Sequence, residues 1–396
     1  MPLRNIRLPV AIAGQVWQGQ SPRQMTGGQS EKFMPTGSMF VSGLGTATPP
    51  DRYTQRECYD ALEASDQFAT LNPRSRAILR KVLLGENGIA TRHLALNPLA
   101  DAFQLNPDAL HSRFAQQAPT LATQAAERAL ADAGCTAKDM DAVVISTCTG
   151  YLCPGLTSYV SERLGLRPEI FTLDLVGQGC GAALPNWRAA EALLAGGRAE
   201  RVLSICVEVC SAAMYLDDDA GVLVSACLFG DGAGAAVLTR EAPAGKRRLE
   251  WTTAVSVLKP ELRDQLRFES RGGMLRNLLK LDVPVLAAQA ADEMLQQALH
   301  ESGISRAQIN GWILHPGGRD VLNALRDKLG LAPEDLRWSA AVLREFGNLS
   351  SASVYFALQG ALAGGAAPGW WWLCSFGAGF SCHGAILKAG EIPAGD

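Results

Sequence analysis

The sequence predicts an α/β protein made of two pseudo-equivalent halves whose helices and strands stack in layers. Three observations point there: an internal repeat at a nearly constant offset, alternation of helical and β-prone segments within each repeat, and glycine stops at matching places. Residues 120–133 (TLATQAAERALADA) carry helical apolar spacing, end at Gly134 and lead into the apolar run AVVIST at 142–147. Residues 284–302 likewise end at Gly303, 169 positions after Gly134, and lead into GWILH at 311–315. Cys180 opens GAALPNWRAAEALLAGG, and Asn348, 168 positions on, opens LSSASVYFALQGALAGG. Both segments read as helices closed by a left-handed glycine cap, and the β-prone runs VLSICV (202–207) and WWWLCSF (370–376) follow. One such match is ordinary helix–strand recurrence; three in order at one offset are not. The first half is placed at 39–245 and the second at 246–396, because REAPAGKRRLEW breaks the pattern near 240–252. Residues 1–38, rich in Gln, Gly, Ser and Met, read as a loosely ordered arm or cloning remnant and are set aside.

A chain of 396 residues with 47% hydrophobic and 19% charged content can bury large cores. Its 36 basic and 39 acidic residues leave a net charge of −3, which gives no general attraction to nucleic acid or to an anionic membrane. An anionic ligand must therefore be met by a local basic cluster. The ten cysteines are scattered, and no secretory leader is evident, so a cytoplasmic location is expected. The spacings 148/153, 206/210 and 374/382 lack the paired CxxC of structural zinc, and no run is long enough to span a bilayer. Neither a bound metal nor membrane insertion is expected.

Cys180 lies in DLVGQGCGAALPNW, between the apolar run FTLDLV and the helix beginning after it. Glycines 177, 179 and 181 permit a tight turn that exposes a nucleophile at a helix N-terminus, where the dipole and free N–H groups favour a thiolate. The alternative is a buried, inert cysteine. His315 ends the strand-like GWILH and is followed by PGGR; a strand's carboxyl end in an α/β layer points toward the ligand crevice. The alternative is a hydrogen-bonded structural histidine. His93, His111 and His300 read as surface residues, and His383 as core. Asn348 occupies in the second half the place Cys180 has in the first, so two helix starts related by a pseudo-twofold would face one site; its alternative is a helix N-cap.

Around these residues the sequence resembles the thiolase-fold condensing enzymes, and most closely the type III polyketide synthases of the chalcone synthase kind. GQGCGAA is similar to the family's nucleophile turn, WILHPGG to its histidine motif and REFGNLSSAS to its asparagine motif. LFGDGAGAAVL (228–238) resembles the segment with a gatekeeping phenylalanine, here Phe229, and SFGAGFS (375–381) the glycine loop that shapes the cavity. The likeness runs from about residue 39 to 390. It implies a thiolase-like fold in a layered αβαβα arrangement, a homodimer, and substrate contacts at Phe229, Ser350, Phe376 and Gly377. Near GGMLRNLLKLDVP (272–284) the family's second phenylalanine is not evident, Asn277 or Leu278 standing nearest.

The resemblance implies that Cys180 takes an acyl group from coenzyme A while His315 and Asn348 stabilise the enolate formed as malonyl-CoA loses carbon dioxide. Coenzyme A thioesters are then substrates, and no cofactor is required. PRSRAILRK supplies Arg74, Arg76, Arg80 and Lys81 for the coenzyme A phosphates, or simply a solvated helix face. TCTGYLCPGLTSY (147–159) resembles the cavity-lining region, implying contacts from Cys148, Thr149 and Cys153. Small residues at Gly181 and Ala213 leave room for a long tunnel, hence a medium or long fatty acyl starter and alkylresorcinol or alkylpyrone products. Rival readings are an initiating ketoacyl-carrier-protein synthase, disfavoured by His315-Pro316-Gly317-Gly318, and a non-catalytic binding partner on the same fold, disfavoured by the complete Cys–His–Asn set.

Overall fold

The computed structural model describes residues 38–391. The first half runs β1 (Met39–Ala47), β2 (Arg52–Thr54), α1 (Gln55–Glu63), α2 (Asp66–Thr70), α3 (Pro73–Leu84), β3 (Thr91–His93), α4 (Pro107–Ala133) and β4 (Ala142–Thr147). It continues through α5 (Leu156–Leu164), β5 (Phe171–Val176), α6 (Ala183–Ala195), β6 (Arg201–Glu208), α7 (Ala220–Leu228) and β7 (Gly232–Thr239). The second half runs β8 (Leu249–Leu258), β9 (Leu266–Arg271), β10 (Met274–Leu279), α8 (Val283–Ser302) and β11 (Ile309–Leu314). Then follow α9 (Arg319–Leu329), α10 (Arg337–Phe346), α11 (Ser353–Ala363), β12 (Gly369–Gly377) and β13 (Ser381–Ala389).

Nine strands form one sheet in the order β11-β12-β13-β8-β1-β7-β6-β4-β5, parallel at β11/β12 and among β6, β4 and β5, antiparallel elsewhere. Within the sheet the halves join where β1 pairs β8 through Met39–Trp251 and Phe40–Glu250. Each half repeats one motif: a helix capped by a left-handed glycine (Gly134 at φ 68°, Gly303 at φ 70°), a parallel strand, and a buried helix that leads into the next strand. The second half lacks a partner for β5. At the repeat offset of 168 its residues 339–344 lie instead within α10 (Arg337–Phe346).

Burial on both faces explains the unbroken apolar strands. In β4, Val144 faces the core shared by α6 and α11, while Val143 and Ile145 face the core under α4. In β12, Trp371 and Leu373 join the α6/α11 layer, and Trp372 and Cys374 the core under α8 and α9. The order is therefore outer helices, half-sheet, the α6/α11 layer, half-sheet, outer helices, the αβαβα arrangement expected from the sequence. Helix α4 starts well before the predicted residue 120, at Pro107 behind an Asn106 cap.

Candidate active site

Between β5 and α6, Gly177 (φ 83°) and Gly179 (φ 58°) adopt left-handed backbone and set up a 3₁₀ turn, Gly179–Gly181, with Cys180 at its centre. This turn lies backbone to backbone against the tip of the β12–β13 hairpin. A Cβ at Gly179 would meet Ala378 N at 2.9 Å, and one at Gly377 would meet Gln178 O at 2.5 Å. A Cβ at Gly181 would lie 3.2 Å from Gly377 N. Gly181 and Gly377 are thus packing glycines that let two distant loops touch; Gly181 does not open the cavity, as its small size had suggested, and neither lines it.

Ser350 joins the site together. It is the sole non-glycine residue with positive φ (50°) among the described residues, and its Oγ lies 3.3 Å from Cys180 Sγ, 3.3 Å from Glu208 Oε1 and 3.4 Å from Cys148 Sγ. Its single hydroxyl proton can serve one of these acceptors at a time. Its N–H donates to Asn348 Oδ1 at 2.9 Å, while Asn348 Nδ2 donates to Gly317 O at 3.1 Å. Asn348 caps no helix: α11 starts at Ser353, beyond a 3₁₀ turn, with Ala352 at its N-cap. Its backbone is pinned instead to the Phe229 segment, through Asn348 N–H to Leu228 O (2.9 Å) and Gly230 N–H to Asn348 O (3.0 Å).

His315 follows β11 directly and is 1% exposed. Its N–H donates to Cys374 O at 2.9 Å, its ring meets Phe376 edge-on with centroids 5.1 Å apart, and Nδ1 is buried without a partner. Burial alone holds its pKa down at about 3. Burial also pushes the Cys180 thiol up to about 12, against the opposing Ser350 bond. Desolvation thus opposes the thiolate that the helix N-terminus favours and disfavours the charged form of both groups. Neutral His315 is fit to accept a proton. No direct His315–Cys180 bond occurs among the described residues; the two are connected through Gly317, Asn348 and Ser350.

Sequence reasoning missed Glu208, the buried residue that closes β6. Its carboxylate accepts from Cys148 N (3.0 Å), Thr149 Oγ1 (3.0 Å), Thr147 Oγ1 (3.3 Å) and Ser351 Oγ (2.5 Å). Burial raises its pKa and those donors lower it, with burial prevailing.

A cavity of about 700 Å³ opens off Cys180. Cys148, Thr149, Ala213, Phe229 and Ser350 line it. Cys153 does not, standing exposed outside it, and Phe376 does not, being packed on His315. The opposite wall is the β9–β10 hairpin, where Phe268 pairs directly with Asn277 and both line the cavity. Asn277 is held by Ser225 Oγ at 2.9 Å, and Leu278 turns into the core. An aromatic side chain thus reaches the cavity from the adjoining strand. Alternation in LRFESR and MLRNLL about Gly272-Gly273 was the signal that could have found it.

Helix α3 turns Arg74, Arg80 and Lys81 to solvent. Arg76 differs, because its guanidinium donates to Leu71 O (2.8 Å) and Ala69 O (2.7 Å) and covers the Phe68 ring. It braces the preceding turn. None of the four lines the cavity. Among the described residues no three His, Cys, Asp or Glu side chains are grouped to hold a metal ion, and no helix is long and apolar enough to cross a membrane.

A layered duplicated fold with a cysteine, a histidine and an asparagine converging at strand and helix ends defines a condensing enzyme acting on thioesters. Residues 49–262 match the family described as FAE1/type III polyketide synthase-like protein, and residues 254–390 the C-terminal domain of chalcone and stilbene synthases. The chain is 32% identical over 394 residues to 1,3,6,8-tetrahydroxynaphthalene synthase of Streptomyces peucetius subsp. caesius, covering 97% of this chain and all of that one. It is 31% identical to 3,5-dihydroxyphenylacetyl-CoA synthase of Amycolatopsis orientalis, covering 80% and 84% of the two chains. The crystal structure of PKS-I from the brown alga Ectocarpus siliculosus superposes with a TM-score of 0.81 at 25% identity, covering 91% of this chain and all of that one. The chain belongs to the type III polyketide synthase family and is an acyltransferase that performs decarboxylative Claisen condensation with acyl-CoA and malonyl-CoA.

Proposed function

We propose that the chain loads a medium or long fatty acyl group on Cys180, extends it with malonyl-CoA and cyclises it to an alkylresorcinol or alkylpyrone. The observation that carries this reading is the wall of the cavity, where Leu94, Ala213, Met214, Val222, Ala226 and Leu266 offer apolar surface next to the Cys180 thiol. In the loading step the Cys180 sulfur attacks the thioester carbonyl and its proton passes to His315. The carbon–sulfur bond to coenzyme A breaks, and the leaving thiolate takes that proton. In extension, His315 and the Asn348 amide donate hydrogen bonds to the malonyl thioester oxygen as carbon dioxide departs. The enolate carbon then attacks the acyl carbonyl and releases Cys180. Thiol, imidazole and amide suffice for these steps without a cofactor.

Mass spectra of products from malonyl-CoA with a panel of acyl-CoA starters test the assignment. Alkyl-substituted resorcinols or pyrones are expected from long starters; turnover of malonyl-CoA alone with none from them would refute it. That outcome is the second reading, a malonyl-primed phenolic product, favoured by the small aromatic products named for the two curated relatives. We also propose a cytoplasmic homodimer joined at the β5 edge, since this strand leaves Phe171 and Val176 half exposed beside the exposed Tyr151. Sedimentation should give a dimer that Val176→Lys dissociates.

A further inference from the structure

Helix α7 and its cap present Val222, Ser225, Ala226 and Phe229 to the Cys180 cavity, the spacing that sets side chains on one helix face. Three of these are apolar; Ser225 is not, and it meets Asn277 of β10. Asn277 Nδ2 donates to Ser225 Oγ at 2.9 Å, and the two residues are only 8% and 6% exposed. This bond leaves two functions over. The Ser225 hydroxyl proton finds no acceptor, and Asn277 Oδ1 no donor, among the described residues. Oδ1 is not sealed within the protein, so it opens on the cavity that Asn277 lines. A donor and an acceptor thus stand side by side in a wall where Val222, Ala226 and Phe268 around them are apolar. Left unmatched in such surroundings both cost free energy, and a ligand with one acceptor oxygen beside one O–H would match them.

We propose that Ser225 and Asn277 form a subsite for an enolised 1,3-dicarbonyl of the extended chain, a reading that rests on the malonyl extension proposed above and not on the starter. The Ser225 hydroxyl donates to the carbonyl oxygen, and Asn277 Oδ1 accepts from the enol O–H. This decides how the ring closes. A free enol oxygen makes a lactone: it attacks the thioester carbonyl, the carbon–sulfur bond breaks and the enol proton passes to the leaving thiolate. Held against the wall, that oxygen is turned from the thioester while the enol carbon stays free. The carbon then attacks a carbonyl of the chain, and its proton passes to that carbonyl's oxygen or, at the thioester, to the sulfur that leaves. The pair therefore favours a carbocycle, the resorcinol of the two products proposed, over the pyrone.

The test is the ratio of carbocycle to lactone, read by mass spectrometry within one reaction mixture, for wild type, Asn277→Leu and Ser225→Ala. Each is assayed with dodecanoyl-CoA plus malonyl-CoA and with malonyl-CoA alone. The ratio should fall about tenfold in either variant, the effect of one hydrogen bond to a buried group. The double variant should lose less than the product of the two, because both side chains hold one enol. A wild type that releases only lactones would overturn the subsite. So would an unchanged ratio in variants with the wild-type unfolding midpoint, which would leave the bond a mere tie between β10 and α7. Turnover of malonyl-CoA alone would refute the fatty starter, while the ratio among the malonyl-derived products still reads the pair. Inhibition by decane-2,4-dione, which enolises, should weaken about tenfold in either variant, with inhibition by decan-2-one, which lacks the second oxygen, unchanged. Equal losses for both ketones would mean that the pair only shapes the cavity, and would refute the subsite even where leucine disturbs the hairpin.

Discussion

The two halves place different chemistry on matching positions. Cys148 follows β4 and His315 follows β11; Cys180 precedes α6 and Asn348 precedes α11; Glu208 closes β6, and Phe376, 168 positions on, lies at the end of β12. In each half the residue at the later strand end touches the one after the earlier strand. Glu208 accepts the Cys148 amide proton, and Phe376 covers the His315 ring. The first half therefore surrounds its thiols with polar donors, while the second keeps its base dry and unpaired. Duplication fixed where three functional side chains per half could stand, and divergence assigned nucleophile and carboxylate to one half, base and amide to the other.

The largest effect should come from Cys180→Ala, which removes the atom that carries the chain; condensation should fall by several orders of magnitude in assays with radiolabelled malonyl-CoA. His315→Ala or Asn348→Ala should lower malonyl decarboxylation by about 10²–10³-fold, the loss typical of an oxyanion donor. Cys148→Ser, at the position equivalent to His315, should retain decarboxylation within about tenfold of wild type. Equal losses at Cys148 and His315 would break the division of labour between the halves.

The next effect is on stability. Glu208 accepts from the Cys148 amide and thiol and from the hydroxyls of Thr147, Thr149, Ser350 and Ser351, and a glutamine amide would turn two donors of its own toward them. Glu208→Gln should destabilise by about 2–3 kcal/mol, the penalty of buried polar groups left unmatched, measured by denaturant unfolding. A neutral result would mean that the carboxylate is not what organises the Cys148 side of the site.

Much of the site was legible because it rests on local signals. The glycine caps Gly134 and Gly303, the strand bounds 142–147 and the repeat that pairs Cys180 with Asn348 are all written in short segments. What was not legible depends on contacts between distant segments. Glu208 follows an apolar strand with no periodicity to mark it, and its partners Ser350 and Ser351 lie in the other half. Gly181 and Gly377 read as cavity residues until the nucleophile turn and the β12–β13 tip were seen to touch. Phe268 enters the cavity through hairpin register, and the upward shift of the Cys180 thiol follows from burial that no motif states.

Acid stability should separate the dry second half from the rest. His383, bonded through Nδ1 to Ser256 Oγ at 2.9 Å, has its pKa lowered to about 4, by burial first and by Arg188 second, and His315 is held at about 3. Between these values and the ordinary 6.5, the unfolded chain binds protons that the folded chain refuses. Stability present above pH 6.5 is therefore lost as pH falls toward 4. Glu208 and Asp231, both raised by burial, act with the opposite sign. His383→Asn should remove at most roughly 3 kcal/mol of this pH-dependent loss, seen as a shallower decline of unfolding free energy from pH 7 to pH 4. An unaltered slope would show that His383 is not kept neutral.

The smallest effects belong to the segments inserted at equivalent places, α1–α3 between β1 and α4 and the β9–β10 hairpin between β8 and α8. The hairpin is clamped: Arg276 pairs with Asp217 at 2.7 Å and with Glu269 at 2.9 Å and is nearly buried, so its role is to hold Phe268 over the cavity. On α3 the basic residues divide. Arg80 and Lys81 are exposed and make no salt bridge among the described residues, whereas Arg76 is fixed to Leu71 O and Ala69 O. If the solvent face of α3 meets the coenzyme A phosphates, Arg80→Ala with Lys81→Ala should raise KM for malonyl-CoA by a few-fold, with kcat held and the difference erased by salt. Arg76→Ala should instead lower the unfolding midpoint with KM unchanged, since its hydrogen bonds close the turn before α3. A rise in KM from Arg76→Ala alone, with Arg80 and Lys81 silent, would place the phosphates against the base of the helix and reverse this division of its face.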